Sequence, residues 1–100
     1  MARFIINKKV YDTEKMTLIG RVEKWYEFKG WLQQQIFGKE AGRMHDCDLY
    51  RSNKSNYLLV HETDVYSIVG EAITETEAKD LLMRYDYDNY TKLFGELEEA

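Results

Sequence analysis

The hydrophobic period of this chain changes once, from two to about 3.6, and that switch limits its fold more than any other feature. Up to about residue 70, Phe, Ile, Val and Tyr recur in short runs with period-two character; from Thr74 onward, apolar residues fall at i, i+3, i+4 and i+7. Strands first and helices last is the order of an α+β domain, in which helices gather on one face of an antiparallel sheet. The expectation is therefore one domain over residues 1–100: a small antiparallel β-sheet with two C-terminal helices packed on one face.

Residues 3–11 read as a strand, Asp12-Thr13-Glu14-Lys15 as a turn, and the segment from Met16 as a second strand. In that strand Met16, Leu18, Val22, Tyr26 and Phe28 occupy even positions, while Thr17, Arg21, Glu23 and Glu27 occupy odd ones, which predicts one buried face. Ile19 and Trp25 interrupt the polarity of the odd face. Trp31, Leu32, Gln35 and Ile36 have helical spacing, so a short helix is expected over about 30–37. Runs at 47–52 and 57–62 flank Asn53-Lys54-Ser55-Asn56 and predict a hairpin; 65–69 is a further β-prone run, closed by Gly70. Thr74 and Glu77 form a capping-box signature before Ala78, Leu81, Leu82 and Tyr85, which predicts a helix over about 75–85. Asp88 is placed to cap a second helix over about 89–98, with Tyr90, Leu93, Phe94 and Leu97 on its apolar face.

With 44% hydrophobic and 32% charged residues, the 100-residue chain has the composition of an ordinary soluble domain. A lone cysteine, Cys47, excludes an intrachain disulfide and a four-cysteine zinc site and fits the reducing cytoplasm. Phe4-Ile5-Ile6 is too short an apolar run for a signal peptide, and no window approaches the ~20 apolar residues of a spanning helix, so no membrane partner is expected.

Catalytic chemistry finds little support. His45 and Cys47 would share a strand face, but no third orienting group or oxyanion signature accompanies them, and the pair reads as a buried cysteine beside an exposed histidine. His45, Cys47, His61, Asp46, Asp48, Glu62 and Asp64 include metal-ligand types at no diagnostic spacing. The six glycines form neither a dinucleotide fingerprint nor a phosphate loop. The expectation is a protein that is not an enzyme, without metal or cofactor.

Charge carries more information. Residues 1–60 hold eleven Lys and Arg against seven Asp and Glu, a surplus of four positive charges; residues 61–100 hold three against eleven, a surplus of eight negative charges. A rigid acidic surface can imitate a phosphate backbone and occupy a groove that accepts nucleic acid. Glu75, Glu77 and Asp88 also suit helix N-termini. The residues chosen for partner binding are Asp80, Asp86, Asp88, Glu96, Glu98 and Glu99. In the basic part, Arg21, Lys24, Lys29, Arg43, Arg51 and Lys54 interleave with Trp25, Tyr26, Trp31 and Tyr50, a pattern that suits single-stranded nucleic acid.

Three strings resemble a family of small proteins encoded on phages and mobile genetic elements of Gram-positive bacteria, some of which are type II-A anti-CRISPR proteins. Lys9-Val10-Tyr11-Asp12-Thr13-Glu14 with Leu18-Ile19-Gly20 is similar to the family's opening hairpin, and Leu49-Tyr50-Arg51-Ser52 with Tyr57-Leu58-Leu59 to its central hairpin. Glu71-Ala72-Ile73-Thr74 through Glu77-Ala78-Lys79, and Leu93-Phe94-Gly95-Glu96, resemble its closing helices. The chain departs from the family at Ser55-Asn56, where a glycine is usual, at 61–68, where a glycine-rich stretch is usual, and over 31–44. The resemblance implies an inhibitor that binds the type II RNA-guided CRISPR effector nuclease and interferes with its assembly with guide RNA. Alternatives are a protein that binds or cleaves guide RNA, and a mobile-element transcriptional regulator, although no helix-turn-helix with a basic recognition helix is present.

Overall fold

The computed structural model describes residues 2–27, 36, 42–63 and 67–98. Among the described residues, six strands precede two C-terminal helices: β1 (Arg3–Ile6), β2 (Lys9–Asp12), β3 (Thr17–Glu27), β4 (Gly42–Arg51), β5 (Tyr57–Glu62), β6 (Ile68–Ile73), α1 (Glu75–Tyr85) and α2 (Tyr87–Phe94). β1 and β2 pair as a separate hairpin, and β3-β4-β5-β6 form an antiparallel sheet in that order. This is the expected α+β class. Among the described residues no helix is long and apolar enough to cross a membrane. The helix expected over 30–37 lies outside the described residues apart from Ile36, which is helical.

The strand expected over 3–11 is two strands. Asn7 and Lys8 have φ of 51° and 64°, so the chain reverses in a two-residue turn with both central residues left-handed, the geometry that matches strand twist. No glycine marks that turn, and the run of Phe, Ile, Val and Tyr hides it. Asp12 to Lys15 do turn, but into β3 rather than out of one long strand.

In β3 the even-position rule holds only after a bulge. Leu18 pairs with Tyr50 and Gly20 with Leu49, leaving Ile19 as the extra residue. Ile19 is consequently buried and Leu18 faces out, while Val22 and Tyr26 keep the inward phase. The central hairpin forms as expected, with Arg51 opposite Tyr57. Its turn is organised by Ser52, whose Oγ accepts from the amides of Lys54 and Asn56 at 3.3 and 3.1 Å.

Gly70 lies inside a strand and does not end one. A Cβ there would sit 2.7 Å from Cγ of Phe4, so only glycine leaves room for that ring. Gly70 pairs with Val60 and Ala72 with Leu58, so Phe4 of the hairpin covers the face on which the fully buried Leu58 stands. On the other face Val22, Cys47, Leu49, Tyr57 and Leu59 pack under Ala78, Leu82 and Tyr90 of the two helices. The small sheet is thus covered on both sides.

Thr74 caps α1 by accepting the Glu77 amide at 3.1 Å. The reciprocal bond of the capping box is absent among the described contacts of Glu77, whose carboxylate turns to Lys24 instead. α2 starts two residues earlier than expected, and its cap position is held by Asp86 rather than Asp88; it ends at Phe94, before Gly95 at φ 91°.

The hairpin turn yields a direct test. Lys8→Gly removes a left-handed strain of roughly 1–2 kcal/mol at the cost of ~0.5–1 kcal/mol of glycine entropy. The variant is expected to gain about 0.5 kcal/mol, read as a rise of a few degrees in thermal midpoint; a fall would contradict the turn geometry.

Candidate protein-binding surface

Two groups of polar side chains stand out: a clasp beneath α1, and an acidic surface on α1, α2 and the tail. The clasp begins with Lys24 on β3, whose inward phase carries its side chain under α1. Its Nζ donates to both carboxylate oxygens of Glu71 on β6 at 3.0 Å and to Oε2 of Glu77 at 2.9 Å. The Tyr26 hydroxyl donates to the same Glu71 at 2.7 Å. Partial burial would raise the Glu71 pKa, but the hydrogen bonds from Tyr26 and Lys24 outweigh it and hold the carboxyl below its ordinary range. Burial opposes the Lys24 charge too, and its bonds to Glu77 and Glu71 raise its pKa regardless.

The Tyr26 ring stacks on His61 with centroids 4.2 Å apart, and His45 lies 4.9 Å from His61. Cys47 is on this face as well, and burial pushes its thiol up to about 11. The thiol donates to the His45 carbonyl at 3.5 Å. The sequence pairing of His45 with Cys47 therefore yields a protonated, packed thiol, unlike the lowered thiol of an activated nucleophile. Among the described residues no three His, Cys, Asp or Glu side chains are grouped to hold a metal ion; Asp64 is outside them.

The six acids chosen for partner binding divide three ways. Asp80, Asp88, Glu96 and Glu98 are exposed, and none of the four takes part in an ion pair among the described residues. Asp86 belongs to the fold. Its Oδ2 accepts from the Arg21 amide at 3.1 Å and from the Asn89 side chain at 2.8 Å, and the Asn89 bond chiefly holds its pKa down. Gly20 makes room for this, because a Cβ there would lie 3.0 Å from Asp86 Oδ2. Glu99 lies outside the described residues.

The tail after α2 is tethered: the Leu97 amide donates to the Tyr87 hydroxyl at 3.0 Å. That bond folds the tail back toward the first turn of α2, where Asp88 stands beside Tyr87. Tyr87, Leu93 and Leu97 remain exposed among these carboxylates, and apolar anchors with a polar surround are a common composition for protein interfaces. Sequence reasoning missed the tether, since nothing in residues 95–98 signals a return.

No family model matches the chain, and no curated protein or solved structure matches it to a significant degree.

Two stability predictions follow from the shared carboxylates. Lys24→Met leaves Glu71 and Glu77 facing each other without their cation. A loss of about 1–2 kcal/mol is expected, below the 3–5 kcal/mol of a fully buried pair because both carboxylates keep water. The Glu71 share is present above its ordinary value of 4.5 and is lost as pH falls through the lowered folded value. The Lys24 share is present below 10.5 and is lost as pH rises through the raised folded value. Urea unfolding across pH should show both limbs flattened in the variant. Asp86→Ala should cost about 0.5–1.5 kcal/mol through the lost bonds from the Arg21 amide and Asn89, whereas Asp88→Ala should change the urea midpoint little.

Proposed function

We propose that this chain is a non-enzymatic inhibitor that binds the type II RNA-guided CRISPR effector nuclease and interferes with its assembly with guide RNA. The observation that carries this reading is the acidic surface of Asp80, Asp88, Glu96 and Glu98: four exposed carboxylates without internal cations, two of them on a tail held by Tyr87. A nuclease groove that accepts guide RNA is lined with Lys and Arg, and carboxylates there benefit from the same steering as phosphates. Tyr87 and Leu97 supply apolar contact among those charges. The resemblance of the 9–20, 49–59 and 71–96 strings to type II-A anti-CRISPR proteins supports the choice of target.

Affinity capture of the nuclease, with and without preloaded guide RNA, tests the reading. Capture of the RNA-free nuclease alone is expected, weakening steeply with salt. Reversal of Asp80, Asp88, Glu96 and Glu98 to Lys should abolish capture and inhibition while the thermal midpoint stays within a few degrees. Full inhibition by the reversed protein would overturn the acidic-surface mechanism. A protein that captures neither form but shifts or shortens naked guide RNA would replace it with an RNA-directed activity.

A further inference from the structure

The basic half of the chain also builds a surface. The β1–β2 hairpin and the β4–β5 turn enclose an open groove of about 700 Å³. Lys9 Nζ donates to Asn56 Oδ1 at 3.4 Å and links the two walls. The groove carries Arg3, Lys9, Lys15 and Lys54, and the one acid among its described lining residues, Asp12, is paired with Arg3 at 3.6 Å. Its apolar lining includes Met16 and, more exposed, Ile5 and Val10, which are directly cross-strand from each other and 75% and 63% exposed. Isolated exposed aliphatics are ordinary, but a paired couple inside a cationic groove selects a ligand with both negative charge and an aliphatic side chain. Nucleic acid fits this less well, because stacking on bases needs exposed rings, and Tyr11, the aromatic residue of the groove, is buried.

The chain itself carries a segment of the required chemistry. Glu96-Leu97-Glu98 places a leucine that is 47% exposed between two exposed carboxylates. None of the groove's lining residues comes from the helices or the tail, and the Tyr87 tether holds the tail along α2. We propose that the groove receives residues 96–98 of a second copy, so that the chain self-associates tail to groove. Leu97 would sit on Ile5 and Val10, with Glu96 and Glu98 against Lys9, Lys15 and Lys54. A single such contact is heterologous and leaves one copy a free groove and the other a free tail, so association grows with concentration, to a closed dimer where two copies exchange tails and further where they do not.

Sedimentation velocity of the full chain, without nuclease, tests this over a range from about 10 μM to about 1 mM, a span that covers weak pairwise contacts. The expected result is a mean mass that rises with concentration and returns to the monomer near 1 M salt, where the screening length is ~3 Å. A groove variant, Lys9→Gln with Lys54→Gln, and a tail variant, Glu96→Gln with Glu98→Gln, should each stay monomeric at all concentrations. Mixed together they should form a one-to-one dimer and nothing larger, because only one productive tail and one productive groove remain. Far-UV circular dichroism and thermal midpoints verify that both variants fold. A wild-type chain that stays monomeric throughout, or variants that associate as the wild type does, would overturn the proposal. So would an RNA oligonucleotide that binds the groove while the mixed variants fail to pair.

Discussion

The fold turns on a single ammonium group. Lys24 and Glu71 stand on the two outer strands of the four-stranded sheet, so their side chains meet across both inner strands. The register sets Gly20, Leu49, Leu59 and Glu71 on one line, so Lys24, four residues further along β3, reaches Glu71 diagonally, as the coil of a twisted sheet permits. Tyr26 makes the same crossing, and Glu77 adds the first turn of α1. The clasp thereby sets the coil of the sheet, the position of the helix above it and the shelter over Cys47 and His61. Its geometry matters more than its gross energy. Each charge loses some water, and the pair is worth forming because every donor of the ammonium is directed at an oxygen.

The elements built from neighbouring residues were legible in the sequence. The central hairpin followed from two β-prone runs around four polar residues, and α1 from Thr74 with the 3.6 period behind it. The errors share one physical origin: a local pattern was overridden by a partner far along the chain. Glu77 has the spacing of a capping box, yet a cation 53 residues away holds its carboxylate. Asp86 looks like one more surface acid, but it meets the Arg21 amide beside the bulge 65 residues earlier. Gly70 reads as a terminator until Phe4 is known to lie against it. The Asn7-Lys8 turn is a different case: Asn7 is of the type that accepts left-handed backbone, but Lys8 stands where glycine usually completes the signal.

These reassignments alter the meaning of the charge asymmetry. Counted along the chain, residues 61–100 carry a surplus of eight negative charges; in space, Glu71, Glu77 and Asp86 are spent on Lys24, Asn89 and a backbone amide. The exposed carboxylates left without an ion pair among the described residues are fewer, and they include Asp80 on α1, Asp88 at the start of α2 and Glu96 and Glu98 on the tethered tail. The basic half divides in the same way. Lys24 is taken by the clasp and Arg21 pairs with Asp48 at 3.4 Å, which removes two members of the stripe that suggested single-stranded nucleic acid. The cations that remain in the hairpin groove lie beside aliphatic rather than aromatic side chains.

One set of carboxylates cannot serve two partners at once, and magnitudes decide between them. A tail contact offers a few exposed ion pairs of about 0.2–1 kcal/mol each and a partly buried leucine of about 1.5–3 kcal/mol. Together these reach roughly 4 kcal/mol before the loss of translational and rotational freedom, so the dissociation constant is about 1 mM at the tightest. A groove built for nucleic acid presents many more cations and a larger desolvated area, and would draw Glu96 and Glu98 away from a neighbouring copy at far lower concentrations. On the function proposed above, self-association of this strength leaves the dilute chain free to meet the nuclease. Where the chain is crowded, copies would cover one another's tails and shield both charged surfaces from less specific encounters.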